Sequence, residues 1–505
     1  MFCKVLSADI CGIEALLTCV ELDVSAGLPS FNMVGLPSSE VREARERVER
    51  ALINSGADFP ARRITVNLSP ANIRKQGSGF DLPMAVGILT ATGVIKEEVL
   101  KDKIFLGELS LDGTVNKVKG VLPVAILAKK HGIKHLIVPK DNAFEGSVVD
   151  GIKIHGASSL KELIEDLKSG HLKDVEHVDL DTTIERAYSE EALDYIDVIG
   201  QEKAKRATMI AVAGFHNLMY IGSPGSGKSM MARRIPTIFN RLTKEECLEV
   251  SAIYSVAGLL KDSGLILTRP FRSPHQSISS PALIGGGSDP RPGEVTLAHK
   301  GVLFLDEMAE FKKNTIDDLR VPIEEREVII NRTLRRAVFP CDFMLVAASN
   351  PCKCGFYPDR RFCRCSEADA QKYLSRIQGP VLDRIDICVG ISRVEIHSLS
   401  GHEKGMSSAD MRELILRAQK MQLERFRGTD IFFNSRMSGK EIEKYCESDK
   451  EGRDYLKQAF DKMNMTARGY YKTLKVARTI ADIEGAGKVS GKHVLEALGY
   501  RNTIK

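Results

Sequence analysis

The chain has 505 residues, of which 43% are hydrophobic and 28% are charged. This length allows two or three domains that each bury a core, and the longest apolar stretches are strand-sized, which excludes a membrane span. A net charge of +5 neither requires nor excludes nucleic acid, because a local basic surface can lie within a balanced total.

The N-terminal segment and the cysteines both favour a cytoplasmic protein. Asp9, Glu14 and Glu21 interrupt the first apolar stretch, so a secretory signal is not expected. The eleven cysteines are odd in number and mostly scattered, which fits a reducing compartment better than a disulfide framework. Seven of them are interpreted as small hydrophobes: Cys3, Cys11, Cys19, Cys247, Cys341, Cys388 and Cys446.

Residues 1–168 are predicted to form a first domain of short strands and a few helices. In "VREARERVERALINSG" (41–56), one face collects Val41, Ala44, Val48 and Leu52, which predicts an amphipathic helix that ends at Gly56. The segments "RRITVNLS" and "HLIVP" are typical of strands.

The rest of the chain divides by its pattern into three parts. Residues 169–195 are acidic and polar without a sustained apolar pattern, and we interpret them as an interdomain linker. Strands and helices then alternate over 196–395, which is typical of a mostly parallel α/β sheet. Over 396–505, helical spacing in "MRELILRAQKMQLERFR" and "YYKTLKVARTIADIEG" predicts a small helical domain.

A glycine-rich loop follows the apolar strand 218–221 in "HNLMYIGSPGSGKSMMARRI". It matches G-x-x-x-x-G-K-[ST], with Lys228 and Ser229 in the last two positions. Backbone N–H groups of such a loop surround phosphates, the lysine neutralises the phosphate oxygens, and the serine hydroxyl binds Mg²⁺. We therefore predict an ATP and Mg²⁺ site, with a plain glycine-rich turn as the alternative. The remaining loop residues are Gly222, Ser223, Pro224, Gly225, Ser226 and Gly227.

A second strand, 302–305 in "KGVLFLDEMAEF", ends in two acids. Ligands of α/β sheets bind at the carboxyl ends of the strands, which is where Asp306 and Glu307 lie. Asp306 is predicted to hold the Mg²⁺ shell, and Glu307 to orient or deprotonate the attacking water. The alternative is an exposed acidic strand end.

A third strand, "FMLVAASN" (343–350), ends in Asn350. An amide at this place can position the lytic water against the γ-phosphate and report on its presence. Asparagine also favours turns before proline, so a turn before Pro351 is the alternative.

Phosphoryl transfer also needs positive charge at the transition state, often from an arginine of a neighbouring subunit. Arg384 in "GPVLDRIDICV" is the preferred candidate, and Arg376 and Arg393 are its rivals.

A second arginine is predicted in the helical part. Arg468 in "TARGYYKTLKVARTIAD" is placed to reach the nucleotide from a lid, with Arg478 as the alternative. Either could instead be a solvated helix charge. One arginine acting in cis and one in trans would require a ring of subunits.

Four further cysteines crowd "SNPCKCGFYPDRRFCRCS" (349–366) in the spacing C-x-C-x₈-C-x-C: Cys352, Cys354, Cys363 and Cys365. Four thiolates can complete a tetrahedral Zn²⁺ site that closes a short loop lacking its own core. Two disulfides are disfavoured by the reducing compartment, and four unrelated buried thiols by the basic flanks. We predict a zinc site, although the C-x-C pairs are tighter than usual for zinc.

Taken together, the motifs resemble the AAA+ ATPases of the magnesium-chelatase class, and more closely the ComM/YifB family, over essentially the whole chain. The strings that carry the resemblance are "DVIGQEKAKRA", "GSPGSGKS", "RPFRSPHQSIS", "ALIGGGSDPRPGEVTLAHKGVLFLDE", "AASNPCKCG", "LDRID" and "KVARTIAD". The resemblance implies an α/β protein with an N-terminal α+β domain of the Lon-protease (S5-like) type, a central AAA+ phosphate-loop domain and a C-terminal helical lid. It also implies a homo-hexameric ring and, for the best-known members, DNA motors that drive branch migration during natural transformation.

The resemblance assigns further residues. Val198, Gly200 and Gln201 would lie near the adenine, and the insert around Gly285–Gly287 would face the pore of the ring. The segment "REVIINRTLRRAVF" would form a hairpin in the same channel. Its Arg332, Arg335 and Arg336 would meet a DNA backbone, with a solvated hairpin tip as the alternative.

The first domain is similar to the proteolytic domain of Lon proteases over 74–93 and 106–142. A serine–lysine peptidase needs a hydroxyl nucleophile and a desolvated amine. In the ungapped match these positions fall on Gly79 and Leu122, while Ser78, Lys117 and Lys119 lie nearby but out of place. A folded, peptidase-inactive domain is expected.

Three functions compete on this sequence. A DNA-translocating hexameric ATPase fits the resemblance and the basic hairpin. A chelatase-like ATPase that remodels a protein partner or drives metal insertion shares the ATPase core, but it is not expected to carry the Lon-like domain or the cysteines. An ATP-dependent protease is disfavoured by the missing Ser–Lys pair.

Overall fold

The computed structural model describes residues 1–189, 193–260, 264–287, 290–332, 335–377, 379–392, 405–462 and 465–501. They form a mixed sheet with helices, a parallel sheet with helices on both faces, and a helical region. No helix within these ranges combines the length and the apolar character that crossing a bilayer requires.

The first domain is built on a seven-stranded sheet in the order β3-β4-β2-β1-β5-β8-β9. A long antiparallel pair, β1 and β2, forms its centre, while β5, β8 and β9 extend it in parallel. The predicted strands in 62–69 and 135–139 are confirmed as β4 and β8. The strands are β1 (Phe2–Cys11), β2 (Glu14–Ser25), β3 (Ser30–Val34), β4 (Arg63–Ser69), β5 (Lys103–Phe105), β6 (Glu108–Leu109), β7 (Val115–Asn116), β8 (His135–Pro139) and β9 (Lys153–Ala157).

Helices cover this sheet and bury its apolar side chains. The helix predicted over 41–56 is present, but it is divided at Glu43, and its four predicted core residues are all buried. The α-helices are Ser39–Arg42, Ala44–Asn54, Asp81–Ala91, Val121–Lys130, Ala143–Gly146 and Leu160–Ser169; the 3₁₀ turns are Glu97–Leu100 and Lys140–Asn142.

The segment predicted as a linker contains a helix, Leu180–Ser189, that the sequence analysis missed. Leu180, Ile184 and Tyr188 lie four residues apart on one face, and each is about 5% exposed or less. They join a cluster that contains Val124 of the first domain and Leu242 of the second. The two domains therefore share a continuous apolar core.

The central domain is built on five parallel strands in the order β11-β14-β17-β10-β18. The three strands predicted around the nucleotide motifs are confirmed as β10, β14 and β17. Side chains of these strands alternate between two buried clusters, as expected for a sheet covered on both faces. The strands of this domain are β10 (Leu218–Gly222), β11 (Phe271–Arg272), β12 (Gly285–Gly286), β13 (Arg291–Pro292), β14 (Val302–Leu305), β15 (Glu327–Arg332), β16 (Arg335–Pro340), β17 (Met344–Ser349) and β18 (Ile387–Ile391).

Helices connect these strands on both faces of the sheet. Two short two-stranded ribbons, β12 with β13 and β15 with β16, project from the same domain. The α-helices are Glu202–Gly214, Lys228–Ile238, Lys244–Ala257, Ser280–Ile284, Glu294–Leu297, Lys313–Asp317, Arg320–Glu325, Glu367–Leu374 and Gly379–Leu382; the 3₁₀ turns are Tyr195–Asp197 and Met308–Glu310.

The C-terminal region is helical, as predicted. Its longest helices, Ser408–Arg425 and Ala467–Ile483, pack on the helix Glu202–Gly214 beside the central sheet. Their apolar side chains belong to the same buried cluster as one face of that sheet. The other elements are the helices Gly439–Tyr445, Lys450–Lys462 and Gly491–Gly499 and the 3₁₀ turn Asn434–Arg436.

A buried ion pair attaches the helical region to the sheet. Lys472 Nζ lies 2.7 Å from Asp386 Oδ1, and both side chains are only 12% exposed. The backbone N–H of Asn217 donates to Asp386 Oδ2 at 2.9 Å. Burial opposes ionisation of Asp386, but Lys472 and His216 hold the pKa of its carboxyl well below its usual range. The pair links the segment before β18 to the helix Ala467–Ile483.

We expect Asp386→Asn to destabilise the protein by about 3–5 kcal/mol, because it leaves the Lys472 ammonium buried without its counter-charge. The free energy of unfolding in urea, for the full chain, measures the loss. The matched control is Asp461→Asn, which removes an exposed carboxylate of the same region. Equal stability of the two variants would contradict a structural role for the pair.

Candidate functional site

The phosphate-binding loop curls at the carboxyl end of β10 and leads into the helix Lys228–Ile238. Gly225 and Gly227 have φ values of +72° and +95°, which are left-handed conformations that glycine adopts without strain. A Cβ atom at either position would meet nothing within 4 Å, so space remains open above the loop. The local sequence therefore gives an open turn directly before a helix N-terminus, which is favourable for an anion.

Lys228 connects this loop to the strand β17. Its Nζ donates to the carbonyl oxygens of Gly222 and Ser223 at 2.7 and 2.9 Å, and to Asn350 Oδ1 at 3.1 Å. Burial lowers the pKa of Lys228, while Asp306 and Glu307 oppose that change. The structure thus brings together the predicted lysine and the predicted asparagine.

The two predicted Mg²⁺ ligands are also adjacent. Ser229 Oγ donates to Asp306 Oδ2 at 2.6 Å, which joins the start of the helix to the end of β14. Glu307 follows in a left-handed conformation, with φ of +50°, and is exposed. Its backbone N–H donates to Asp306 Oδ1 at 3.0 Å. The backbone turn therefore separates the two carboxylates. The Asp306 carboxylate contacts the Ser229 hydroxyl, and Glu307 is exposed to solvent.

These residues fit a magnesium–nucleotide complex. Hydroxyl and carboxylate oxygens are the ligands that Mg²⁺ prefers, and Ser229 and Asp306 supply one of each. The Ser226 hydroxyl of the loop is buried and has no hydrogen-bond partner among the described residues. An unpaired buried hydroxyl is costly, so its position beside an open anion site is consistent with a ligand there.

The residues predicted near the adenine lie at the carboxyl ends of the strands, as the phosphate-binding loop does. Gln201 Nε2 donates at 2.6 Å to the carbonyl oxygen of Ser392, which follows β18. Because β18 pairs with β10 in parallel, the end of β18 adjoins the phosphate-binding loop. Val198 is buried and Gly200 is exposed beside this contact.

Arg384 and Arg468 converge on one carboxylate that the sequence analysis missed. Arg384 Nη2 lies 2.7 Å from Glu324 Oε2, and Arg468 contacts Glu324 Oε1. Burial opposes ionisation of Glu324, but the two guanidinium groups outweigh it and lower its pKa. Only the folded chain brings these residues together, since 60 and 84 positions separate them along the sequence (324 to 384, 384 to 468).

This arginine pair lies at the amino ends of the parallel strands, whereas the phosphate-binding loop lies at their carboxyl ends. Asn217 Nδ2 donates to the carbonyl oxygen of Arg384 at 2.9 Å, and these residues precede β10 and β18. The phosphate-binding loop follows β10, and a five-residue strand spans about 16 Å. An arginine side chain is much shorter than this distance. The prediction that one arginine acts in cis from the lid is therefore not supported for Arg468.

The rival arginines occupy other environments. Arg376 lies 3.4 Å from Glu310 and stacks over Tyr373. Arg478 is 2% exposed, pairs with Asp482, and donates to the carbonyl oxygen of Gly487, so it belongs to the helical core rather than to a solvated helix face. Arg393 lies outside the described residues.

The four predicted zinc ligands form one cluster, with all sulfur atoms within 4.8 Å of one another. The closest pairs are Cys352–Cys354 at 3.3 Å, Cys354–Cys363 and Cys354–Cys365 at 3.5 Å, and Cys352–Cys363 at 3.8 Å. All four are free thiols. A backbone N–H of Phe356 lowers the pKa of Cys354 to about 6, whereas burial raises the pKa of Cys363 to about 12.

The predicted basic hairpin is the ribbon of β15 and β16. Val328, Ile330, Ala337 and Phe339 anchor its base in the central core. Arg332 pairs with Arg335 at the last described register position of the ribbon. Arg336 pairs with Asn331 and is exposed. The three arginines therefore stand at the last two described register positions of the ribbon.

The first domain lacks a peptidase pair at the positions matched to Lon. A Cβ at Gly79 would lie 2.9 Å from Leu106 Cδ1, which is tight for any side chain. Leu122 is buried, and its backbone N–H donates to Glu145 Oε1 at 2.9 Å. Ser78 instead donates to the carboxylate of Glu108. Ser78, Gly79, Leu106 and Glu108 line a cavity of about 870 Å³ between the first and central domains, whereas Leu122 does not.

Known proteins are similar to this chain over its whole length. The magnesium chelatase subunit ChlI profile matches residues 194–399. The profile for subunit ChlI of Mg-chelatase matches 20–142, and that for the ChlI C-terminal part matches 405–501. The three matches fall on the three parts of the fold.

Individual relatives agree with these profiles. Competence protein ComM of Haemophilus influenzae is 40% identical, over 98% of this chain and 96% of its own. The protein YifB of Salmonella typhimurium is 39% identical, over 97% and 95%. Lon protease 2 of Bacillus subtilis is 30% identical over a shorter stretch, 19% of this chain and 18% of its own.

We expect Glu307→Gln to reduce the rate of ATP turnover on the order of 10²- to 10⁴-fold, because the amide cannot accept a proton from the attacking water. Binding of ATP should remain, since the phosphate contacts lie on Lys228 and the loop. Steady-state phosphate release and equilibrium binding of a fluorescent ATP analogue measure the two effects. Lys228→Ala is the comparison, and it should lose binding. Wild-type turnover in Glu307→Gln would contradict the assignment.

Proposed function

Because this chain belongs to the ComM/YifB family of magnesium-chelatase-like AAA+ ATPases, we propose that it is a motor that couples ATP hydrolysis to remodelling of DNA. The observation that carries the proposal is the convergence of Lys228, Ser229, Asp306 and Asn350 at one edge of the central sheet. The competence protein among its relatives supports a role on DNA.

Hydrolysis uses groups with separate tasks. Lys228 would leave its backbone carbonyl partners and neutralise the β- and γ-phosphate oxygens. Ser229 and Asp306 would hold Mg²⁺, which would offset the charge on the phosphate oxygens. Glu307, exposed at the end of β14, orients a water and accepts its proton. When ATP binds, the Asn350 side chain would give up its hydrogen bond with Lys228 and contact the γ-phosphate instead. The position of Asn350 would therefore depend on whether ATP is bound.

The position of the arginine pair supports a homo-hexameric ring. Arg384 is too far from the phosphate-binding loop of its own chain, so it would act on the nucleotide of a neighbouring subunit. Arg468 shares the carboxylate of Glu324 with Arg384 and would approach the same neighbour. An arginine supplied in trans stabilises the charge of the transferring phosphoryl group.

The DNA substrate is supported by the basic ribbon of β15 and β16, which would lie in the channel of the ring together with Gly285–Gly287. Arg332, Arg335 and Arg336 would contact phosphates without reading sequence. Branched or single-stranded DNA is the proposed substrate, as in branch migration during recombination or natural transformation.

The first domain is proposed to be inactive as a peptidase. Leu106 fills the space beside Gly79, and Leu122 brings an apolar side chain to the position of the required amine. The matched positions therefore supply neither the hydroxyl nucleophile nor the amine base that a serine–lysine peptidase needs. The domain would serve assembly or substrate engagement.

A chelatase-like ATPase that remodels a protein partner or drives metal insertion is the second candidate, since three chelatase profiles match the chain. The same ATP site serves both functions. Stimulation of turnover by DNA separates them, because a chelatase-type partner is a protein.

We expect single-stranded, duplex or four-way-junction DNA to stimulate ATP turnover by the wild-type chain. Replacing Arg332, Arg335 and Arg336 together by Ala should reduce the ratio of stimulated to basal turnover and flatten its dependence on salt, because fewer phosphates are neutralised. Phosphate release at several salt concentrations measures both.

The control is Arg427→Ala, which removes an exposed positive charge from the helical region. Its stimulation should equal that of the wild type. If no form of DNA changes wild-type turnover, the proposed DNA motor is wrong and the protein-remodelling alternative gains weight.

Arg384→Ala should lower turnover on the order of 10³-fold, as expected for an arginine that contacts the transition state. Mixing this variant with Lys228→Ala, each inactive alone, should restore part of the turnover. Mixed rings then contain sites with an intact loop from one chain and an intact arginine from the next. No recovery in samples shown to co-assemble by light scattering would indicate that Arg384 acts within its own chain.

A further inference from the structure

The cysteine loop, residues 350–366, lies between the end of β17 and the helix Glu367–Leu374. It contains turns but no long element, and its buried centre consists of Cys352 and Cys363 with Ala370 of the following helix. Phe356, Tyr357 and Cys365 pack around that centre. So small an apolar cluster stabilises a loop weakly, and such loops usually depend on a cross-link or a metal.

The sulfur positions fit one metal ion. A tetrahedral Zn²⁺ with Zn–S bonds of about 2.3 Å requires sulfur atoms about 3.8 Å apart. The four closest sulfur pairs lie 3.3–3.8 Å apart, and all the sulfur atoms lie within 4.8 Å of one another. A disulfide would require about 2.05 Å. An iron–sulfur cluster spreads its cysteines around several metal atoms, and sulfurs that lie this close together leave no room for one.

The charge around the loop also suits such a site. Zinc with four thiolates has a net charge of −2, and the loop carries four exposed basic residues, of which Arg361 pairs with Asp359: Lys353, Arg360, Arg361 and Arg364. Arg360 already donates to the carbonyl oxygen of Cys365 at 2.7 Å. The positive charge of the loop offsets part of the negative charge of such a site.

The loop rests directly on the phosphate-binding loop. Gly355 is buried, with φ of +87°, and its N–H donates to the carbonyl oxygen of Cys352 at 2.9 Å. A Cβ built at Gly355 would lie 2.5 Å from Cδ and 2.7 Å from Cγ of Pro224. Glycine therefore allows the backbone of the cysteine loop to touch the ring of Pro224, and any other residue would push the two loops apart.

A second connection reaches the same site through the backbone. Cys352 follows Asn350 by two residues, and Asn350 Oδ1 accepts the hydrogen bond from Lys228. The carbonyl oxygen of Asn350 accepts from Ser349 Oγ at 3.0 Å, which fixes the end of β17. Displacement of Cys352 would therefore move the asparagine that contacts the lysine of the phosphate-binding loop.

We propose that Zn²⁺ bound by Cys352, Cys354, Cys363 and Cys365 holds Gly355 against Pro224, and that metal occupancy thereby sets the affinity of the phosphate-binding loop for ATP. The inference rests on the proposed ATP site and adds a structural metal that controls the affinity of that site. The zinc ion takes no part in the reaction. It keeps one wall of the nucleotide site in place.

The first experiment removes the metal. In the full chain, Cys354→Ser with Cys365→Ser exchanges the two more accessible ligands for residues of similar size. We expect about one zinc per wild-type chain by elemental mass spectrometry, and none in the variant. The dissociation constant for a fluorescent ATP analogue should rise about tenfold, which corresponds to about 1.4 kcal/mol. Cys19→Ser, a substitution far from the loop, should leave both values unchanged.

The second experiment breaks the contact and keeps the metal. Gly355→Ala should retain zinc but weaken ATP binding, because its Cβ meets Pro224. Gly428→Ala is the matched control, since Gly428 has a similar φ of +84° with nothing within 4 Å of a Cβ. Circular dichroism and thermal unfolding show that each variant is folded.

The outcomes separate the inference from the proposed function. Wild-type ATP affinity in a folded zinc-free variant, or equal affinities of Gly355→Ala and Gly428→Ala, would overturn the inference. Absence of zinc from the wild type would overturn it as well. A wild-type chain that binds ATP tightly but does not hydrolyse it would contradict the proposed function, and the binding measurements would still test the inference.

Discussion

In the central sheet, β14, β17 and β10 are neighbours and run in the same direction, so the residues that follow them meet at one edge. The hydrogen bonds from Lys228 to Asn350 and from Ser229 to Asp306 cross between these strands and close the site. The same parallel arrangement places Arg384, which precedes β18, at the other edge. The parallel direction of the strands thus gathers the phosphate-binding groups and separates them from the arginines. If those arginines act on a nucleotide, it must be the nucleotide of a second subunit.

The first domain is part of the same structural unit as the ATPase. The helix Val121–Lys130 packs on the helix Lys244–Ala257, and Ser255 of the latter donates to the buried carboxylate of Glu145. Burial raises the pKa of Glu145, while the hydrogen bonds that its carboxyl accepts from Ser255, Leu122 and Asn142 oppose that change. Together with the shared apolar cluster, the contact between Ser255 and Glu145 joins the two domains along a continuous surface.

Local sequence patterns were sufficient for the strands around the nucleotide and for the cysteine cluster, because each depends on residues close together in the chain. The helix Leu180–Ser189 was missed because its three apolar residues stand in a polar segment and gain their stability from other elements. Glu324 was missed for a similar reason: its neighbours in sequence do not indicate that two distant arginines share it. Asp386 lies within a recognised string, but its partner Lys472 is 86 positions away (386 to 472), and only tertiary packing joins them.

The turn that ends β1 touches the ribbon of β15 and β16. Cys11 Sγ lies 3.7 Å from the carbonyl oxygen of Arg336, and a Cβ at Gly12 would lie 3.1 Å from that of Val338. Ile13 packs in the apolar surroundings of both the ribbon and the helix Lys244–Ala257. Any swing of the ribbon must therefore carry this turn with it or expose Ile13 to water. A force applied to the ribbon would therefore pass in part to the N-terminal sheet through this turn.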